Sequence, residues 1–195
     1  AQESRGLGDV YKRQALGSED AHGYNVAIGT NALKDQNAGT NAYNVAVGSD
    51  AGRNITTGET NVIIGGLAGD ALTTSSGNVA IGYSALSTED AHGKNTAIGF
   101  STLRNQDAGA DAYNVAVGYE AGLSVTTGTN NTLIGGLAGD SLTSGAHNVA
   151  VGYNTLATED AHGRNIAIGT NALTTLDAGA CLLYTSDAAD DLLCV

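Results

Sequence analysis

The residues with the clearest potential for chemistry are three histidines in a repeated motif. Glu-Asp-Ala-His-Gly occurs at 19–23, 89–93 and 159–163, so the motif recurs at a constant interval. A histidine close to an aspartate can form part of a metal site. The weak metal candidates are therefore Asp20, His22, Asp90, His92, Asp160 and His162. Turn residues copied by duplication explain the motif better, and we expect no resident metal or other cofactor.

A glycine-rich segment at 65–73, with its copy from Gly135, partly matches the calcium-binding nonapeptide Gly-Gly-x-Gly-x-Asp-x-Leu-x. The third glycine is displaced by one position, and no nine-residue period follows. Consecutive repeats are needed to supply the calcium ligands, so the match is weak. The segment is also not a phosphate loop, because no Lys-Ser or Lys-Thr follows the glycines.

Aromatic and threonine residues recur at related positions. Tyr83, Phe100, Tyr119 and Tyr153 are suited to stacking on sugars, but packing at coil edges or between subunits is the favoured interpretation. Paired threonines such as Thr56-Thr57 suggest ice binding, although the threonine columns are interrupted. No nucleophile is paired with a base at a distinctive spacing, which indicates that the chain is not an enzyme.

These residues are carried by a repeat whose anchor is asparagine. The intervals between successive anchors are 19, 17, 17, 17, 19, 17, 17 and 17, so the same block of four units occurs twice. Comparison of 15–110 with 85–180 gives 58 identities in 96 positions, which indicates a tandem duplication. With each anchor as position 0, position 4 is always glycine. The structural repeat residues are Asn25, Gly29, Asn44, Gly48, Asn61, Gly65, Asn78, Gly82, Asn95, Gly99, Asn114, Gly118, Asn131, Gly135, Asn148, Gly152, Asn165 and Gly169.

The residues between anchor and glycine predict a short strand. Position 1 is Val, Ile or Thr, position 3 is Ile or Val, and position 2 is Ala in seven units, with Ile63 and Leu133 as exceptions. Because side chains alternate along a strand, positions 1 and 3 share one face. We expect this bulky face to fill the core and the alanine face to allow close approach of another surface. Stacked asparagines are expected to form an amide ladder.

The second half of each unit has two forms. Some units carry leucine at position 8, such as Leu33 and Leu86, whereas others carry glycine there and an apolar residue at position 11. This second group has Ile55, Leu72, Val125 and Leu142 at position 11. The pattern predicts a second short strand with a shifted core residue. Frequent Gly and Asn, without a 3.6-residue apolar stripe, argue against helices.

The repeat predicts an all-β fold, a β-solenoid of about nine 17–19-residue coils. Coils stacked at about 4.8 Å would extend about 43 Å. A 17-residue coil encloses a thin core, and one coil cannot stand alone. Burial of a second face between chains would compensate, so we expect an oligomer.

Both ends of the chain are interpreted as foreign to the repeat. Asp9 to Gln14 can be back-translated so that the reverse complement encodes Cys181 to Ser186, and both segments resemble translated sequencing adapters. We therefore expect three regions: adapter-derived sequence at 1–14, a repeat domain truncated at both ends at 15–180, and adapter-derived sequence at 181–195. Both cysteines, Cys181 and Cys194, fall in the last region, which leaves the repeat without a disulfide or Cys-metal framework.

The repeat region is acidic, with five basic and fifteen acidic residues at 15–180. A net charge of −10 disfavours nucleic acids and anionic membranes as partners, since both select basic patches. No apolar run approaches the roughly 20 residues of a membrane helix. We expect no nucleic-acid or membrane contact within this segment.

The Asn-Val-Ala-Ile-Gly units, such as 25–29 and 44–48, resemble the head repeats of YadA-like trimeric autotransporter adhesins, and similar repeats occur in phage tail fibres. The resemblance covers essentially all of 25–180. It implies a left-handed parallel β-roll with one repeat per coil, assembled as a homotrimer. It further implies an extracellular position on the bacterial cell surface and attachment to host or abiotic surfaces. The alternatives are a tail-fibre or virion shaft segment and a ligand-binding solenoid for ice or calcium.

Overall fold

The computed structural model describes residues 16–17, 24–89, 91–158, 161–174 and 183–185, and the last three by backbone only. Within these residues the secondary structure consists of ten three-residue strands with no helix. The strands are β1 Val26–Ile28, β2 Val45–Val47, β3 Val62–Ile64, β4 Val79–Ile81, β5 Thr96–Ile98, β6 Val115–Val117, β7 Thr132–Ile134, β8 Val149–Val151, β9 Ile166–Ile168 and β10 Leu183–Thr185.

All ten strands lie in one parallel sheet, in chain order. Each strand pairs with the strand one repeat later, position for position, so Val45 lies beside Val62 and Ala46 beside Ile63. The chain therefore winds once per repeat, which confirms the β-solenoid. We number the coils 1 to 9 by their anchors, from Asn25 to Asn165.

The faces of the strands are the reverse of the sequence prediction. Position 2 points into the solenoid, and Ala46, Ile63, Ala80 and Leu133 are fully buried. Positions 1 and 3 point outward, and Ile64 remains 37 % exposed. The error came from assigning the bulkier side chains to the core. Alanine occupies the inward position in seven coils, and the larger Ile63 and Leu133 fit only in coils whose position 8 is glycine.

The core volume is filled from the second half of each coil. Leu33, Leu86 and Leu103 at position 8 are fully buried in their coils. In coils 2 and 3 the position-8 residue is glycine, and Ile55 and Leu72 at position 11 are buried instead. A Cβ added to Gly69 would lie 2.7 Å from Leu72 Cδ1, so the two positions supply the same part of the core. The predicted shift of the core residue is confirmed.

The predicted second strand is wrong, because turns occupy this half of the coil throughout the described residues. Positions −1, 6 and 8 adopt left-handed backbone conformations in every coil. In coil 1 these residues are Tyr24, Asn31 and Leu33, with φ of 55°, 57° and 49°. A left-handed residue reverses the chain locally and prevents the extended pairing of a strand. Alternation of apolar residues alone did not reveal this.

The tenth strand lies in the segment interpreted as adapter-derived. Leu183 pairs with Ile166, so the backbone keeps the spacing of the preceding coils beyond coil 9. The ladder joins backbone groups, and it does not require the asparagine or glycine of the repeat.

Candidate contact surface

The anchor asparagines form a buried ladder along the inside of the solenoid. The Asn61 side chain accepts a hydrogen bond of 2.9 Å at Oδ1 from the backbone N–H of Asn78, and Asn44 does the same for Asn61 at 2.8 Å. The amide Nδ2 of Asn61 donates to the backbone carbonyl of Ser75. Each asparagine therefore satisfies polar groups that would otherwise be buried without partners, and it fixes one coil upon the next.

Two buried glutamines, one in each longer coil, extend this ladder. In the longer coils 1 and 5, Gln36 and Gln106 are buried at position 11, and each Oε1 accepts from the next anchor at 2.7 Å. Their Nε2 groups donate to the carbonyls of Thr56 and Thr126. The sequence pattern did not single out these glutamines, although both copies carry them at the same position.

The position-4 glycines bring neighbouring coils into close backbone contact. Gly65 has φ of +132°, and a Cβ there would lie 2.5 Å from the carbonyl oxygen of Gly82. Both reasons for glycine thus apply, the positive φ and the lack of room. Since all nine glycines have φ between +122° and +142°, the same contact repeats along the solenoid.

The outward faces of β1 to β9 form an apolar strip, defined here as positions 1 and 3 of coils 1–9. Every side chain in the strip is half-buried or exposed, and all are Val, Ile or Thr. The most exposed are Val26, Ile28, Ile64, Val115, Ile134, Ile166 and Ile168. With nine coils and three-residue strands, the strip is about 43 Å long and about 10 Å wide. A contiguous apolar area of a few hundred Å² is typical of an interaction surface.

Aromatic side chains stack along position 5, beside the strip in sequence. The Tyr83 and Phe100 ring centroids are 5.7 Å apart, and those of Phe100 and Tyr119 are 5.4 Å apart, with nearly parallel planes. All three rings remain about half exposed. Tyr24 and Tyr43 stack in the same way at position −1, with centroids 5.3 Å apart. Packing along the coil edges is therefore observed, and the ring edges stay accessible.

One threonine of each pair uses its hydroxyl group within the fold. Thr56 and Thr126 each donate to the backbone carbonyl of the threonine one coil later, at 3.3 Å. Thr74 likewise donates to the carbonyl of Ala91. These donors are thereby engaged with protein rather than arrayed toward solvent, which weakens the case for ice binding.

In the second copy of the histidine motif, a buried carboxylate contacts the backbone of the histidine. Glu89 is fully buried, and its Oε1 accepts from the backbone N–H of His92 at 3.2 Å. His92 and His162 are half-buried in their respective coils. Asp20, His22, Asp90 and Asp160 lie outside the described residues. Within the described part of the chain, no three His, Cys, Asp or Glu side chains are grouped as metal ligands.

The aspartates of the two glycine-rich segments lie in a low-polarity environment. Burial raises the pKa of Asp70 and of Asp140, and the nearby charges of Asp50 and Glu120 act in the same direction. Each has a buried Oδ1 without a hydrogen-bond partner in the structure. A raised pKa indicates that the folded protein disfavours the ionised form. That environment lacks the convergent carboxylates of a calcium site.

A separate charged cluster on the outer surface joins the residue before the anchor of coil 5 to two residues that precede the anchor of coil 6. Lys94 Nζ forms a salt bridge with Asp111 and lies 5.2 Å from the Tyr113 ring centroid. The hydrogen bond to Asp111 raises the pKa of Lys94, and the same bond lowers the pKa of Asp111. Both groups are exposed, so solvent screens the pair. The cluster shows that a tyrosine on this surface can hold a cation.

The outward apolar strip is therefore the candidate contact surface of the described residues. No helix within the described ranges is long and apolar enough to cross a membrane. Comparisons of the chain with protein-family models, with curated proteins and with solved structures find no match.

Proposed function

We propose that the chain is a structural and adhesive head segment of a trimeric bacterial surface adhesin, which mediates attachment to host or abiotic surfaces. The observation that carries this proposal is the apolar strip, which runs through all nine coils on the outer face of the sheet. An apolar patch of this size is often functional on a protein surface, and its regular, elongated form suits packing against copies of itself. Three copies packed strip to strip would bury it.

The interior of the solenoid supports a mechanical role. Each coil is joined to the next by strand pairing, an asparagine bond and a glycine contact, and these links repeat along the molecule. Such an array transmits load and projects a surface away from its attachment. We place it on the bacterial cell surface, outside the cell.

The assembly is tested by a paired substitution within β3 and its copy β7. We expect the unaltered chain to sediment as a trimer at tens of micromolar. The double variant Ile64→Lys/Ile134→Lys should sediment as a folded monomer, because two outward apolar side chains become charged at the buried interface. Sedimentation velocity and far-UV circular dichroism are the measurements.

A matched control carries the same charge change elsewhere. Thr57→Lys/Thr127→Lys alters two exposed residues that are also equivalent in the two copies of the block, and it should remain trimeric. A monomeric unaltered chain across that concentration range would refute the assembly.

Adhesion requires a measurement of its own, because a trimeric virion fibre would bury the same strip. Microspheres coated with the trimeric chain should be retained on cultured cells or on polystyrene under flow. Spheres coated with albumin provide the baseline. Retention at that baseline on every surface would contradict the adhesive role while leaving the trimer intact.

A further inference from the structure

We propose that a slot between Tyr119 and Tyr153, above Gly136, binds a planar cation, namely the guanidinium group of an arginine side chain on a partner protein. The three residues occupy position 5 of coils 6, 7 and 8. The slot lies within a single chain, so the proposal does not depend on the trimer.

The spacing of the aromatic column defines the slot. Phe100 fills the level between Tyr83 and Tyr119, with centroid separations of 5.7 and 5.4 Å. Tyr119 and Tyr153 are two coils apart, which corresponds to about 10 Å along the solenoid. A flat group needs about 3.5 Å on each side, or about 7 Å between two rings. One planar group therefore fits at the Gly136 level, as Phe100 fits between its own two neighbours in the column.

Gly136 keeps this level open. It has no side chain, and its backbone is outside the left-handed region. A Cβ built there would lie 3.5 Å from Tyr153 Cδ2, an ordinary contact, so neither backbone conformation nor crowding demands glycine at this position. Tyr119 and Tyr153 are 55 % and 56 % exposed, so a ligand can reach the slot from solvent.

The charge around the slot selects a cation. Residues 114–158, from the anchor of coil 6 to position 10 of coil 8, contain the carboxylates Glu120 and Asp140 and no lysine or arginine. Glu120 follows Tyr119 directly, and its nearby carboxylate raises the pKa of the Tyr119 hydroxyl. Aromatic faces attract cations, and arginine is both planar and able to bond a carboxylate through two N–H groups. A neutral aromatic ring would gain nothing from the carboxylate charge, and a sugar would gain hydrogen bonds to the carboxylate but no ion pair.

The first copy of the block contains a natural comparison. Gly66 corresponds to Gly136 and lies against Tyr83, but its other neighbour in the column is Ser49, the counterpart of Tyr119. That level has a ring on one side only, so it should bind a guanidinium group much more weakly.

The test uses the full chain labelled with 3-fluorotyrosine and titrated with N-acetyl-arginine amide. We expect saturable fluorine shifts at Tyr119 and Tyr153, with smaller shifts for the lysine analogue. Gly136→Tyr fills the slot and should abolish the shift, whereas Gly66→Tyr should preserve it. Tyr119→Ser, which copies the residue of the first block, should weaken binding at least five-fold, and Glu120→Gln should weaken it at low salt.

Two results would overturn the proposal. One is a titration without saturable shifts at these two tyrosines, and the other is binding that persists unchanged in Gly136→Tyr. Stronger shifts from methyl glucoside or benzyl alcohol than from the arginine amide would also exclude the cation and point to a neutral ring. Sedimentation of each variant should match the unaltered chain, which separates this outcome from failure of the trimer.

Discussion

At the residue scale, the coil depends on side chains that are buried and polar or on residues that have no side chain. The anchor asparagine accepts a hydrogen bond from the backbone N–H of the next anchor. The position-4 glycine allows its backbone to lie against the carbonyl group of the equivalent glycine one coil later. Both the anchor asparagine and the position-4 glycine occur in all nine units, so the sequence alone indicated that these two positions matter. The buried direction of the asparagine and the partners of its amide required the three-dimensional path.

Gly65 and Gly66 offer a matched pair for the glycine contact. Gly65→Ala forces a Cβ to within 2.5 Å of the Gly82 carbonyl at a φ of +132°, whereas Gly66→Ala meets only the Tyr83 ring at 3.4 Å. We expect the first substitution to destabilise the fold by about 2–4 kcal/mol and the second by less than about 1 kcal/mol. Urea denaturation followed by circular dichroism provides the measurement. Equal losses in the two variants would contradict the close-contact role.

At the element scale, one coil can fill the same core volume in two ways. The volume is filled by a leucine at position 8 or by an apolar residue at position 11. In coils 1 to 8 the other of these two positions is glycine or polar. The sequence correctly predicted this exchange because both residues change together between the coil types. It failed on the strand faces, since periodicity 2 separates the faces without saying which one is inside.

The exchange predicts a rescue between two residues of coil 3. Leu72→Ala removes a fully buried side chain and should cost about 2–5 kcal/mol, and Gly69→Leu alone should clash with Leu72. The double variant Gly69→Leu/Leu72→Ala should recover at least half of that loss. Leucine is tolerated at position 8 because Leu33, Leu86 and Leu103 already adopt left-handed φ there.

A double-mutant cycle with urea denaturation measures this coupling. The matched pair is Gly52→Leu/Ile55→Ala in coil 2, where a Cβ at Gly52 would lie 2.8 Å from Ile55 Cδ1. Additive losses in both coils would show that the two positions do not share one core volume.

At the scale of the whole molecule, each described strand makes its main contacts with its neighbours in the stack, so stability is close to a sum over coils and interfaces. The architecture could be predicted because the period is explicit in the sequence. The aromatic slot could not, since the period places Tyr119 and Tyr153 in one column but does not show that the rings of this column stack with parallel planes.

Charge and apolar surface oppose each other in the association of whole molecules. The chain has a formal net charge of −12, so copies repel while their apolar strips attract. Raising the ionic strength from about 10 mM to about 0.15 M shortens the screening length from about 30 to about 8 Å and should tighten association. Sedimentation equilibrium at both salt concentrations checks this. Weaker association in the higher salt would indicate that ion pairs, rather than the strip, join the copies.

The alternation of one longer coil with three shorter ones has a consequence for inheritance. The last coil of the first block is followed directly by the first coil of the second block. Every pairing of adjacent coil types that a longer array would need therefore already occurs in this chain. Recombination that removes one whole block would join Gly77 to Asn148, and its reverse would insert a block, so neither event creates a junction foreign to the fold. The gene can thus lengthen or shorten its product in steps of about 19 Å while every interface between coils stays of a kind that already folds.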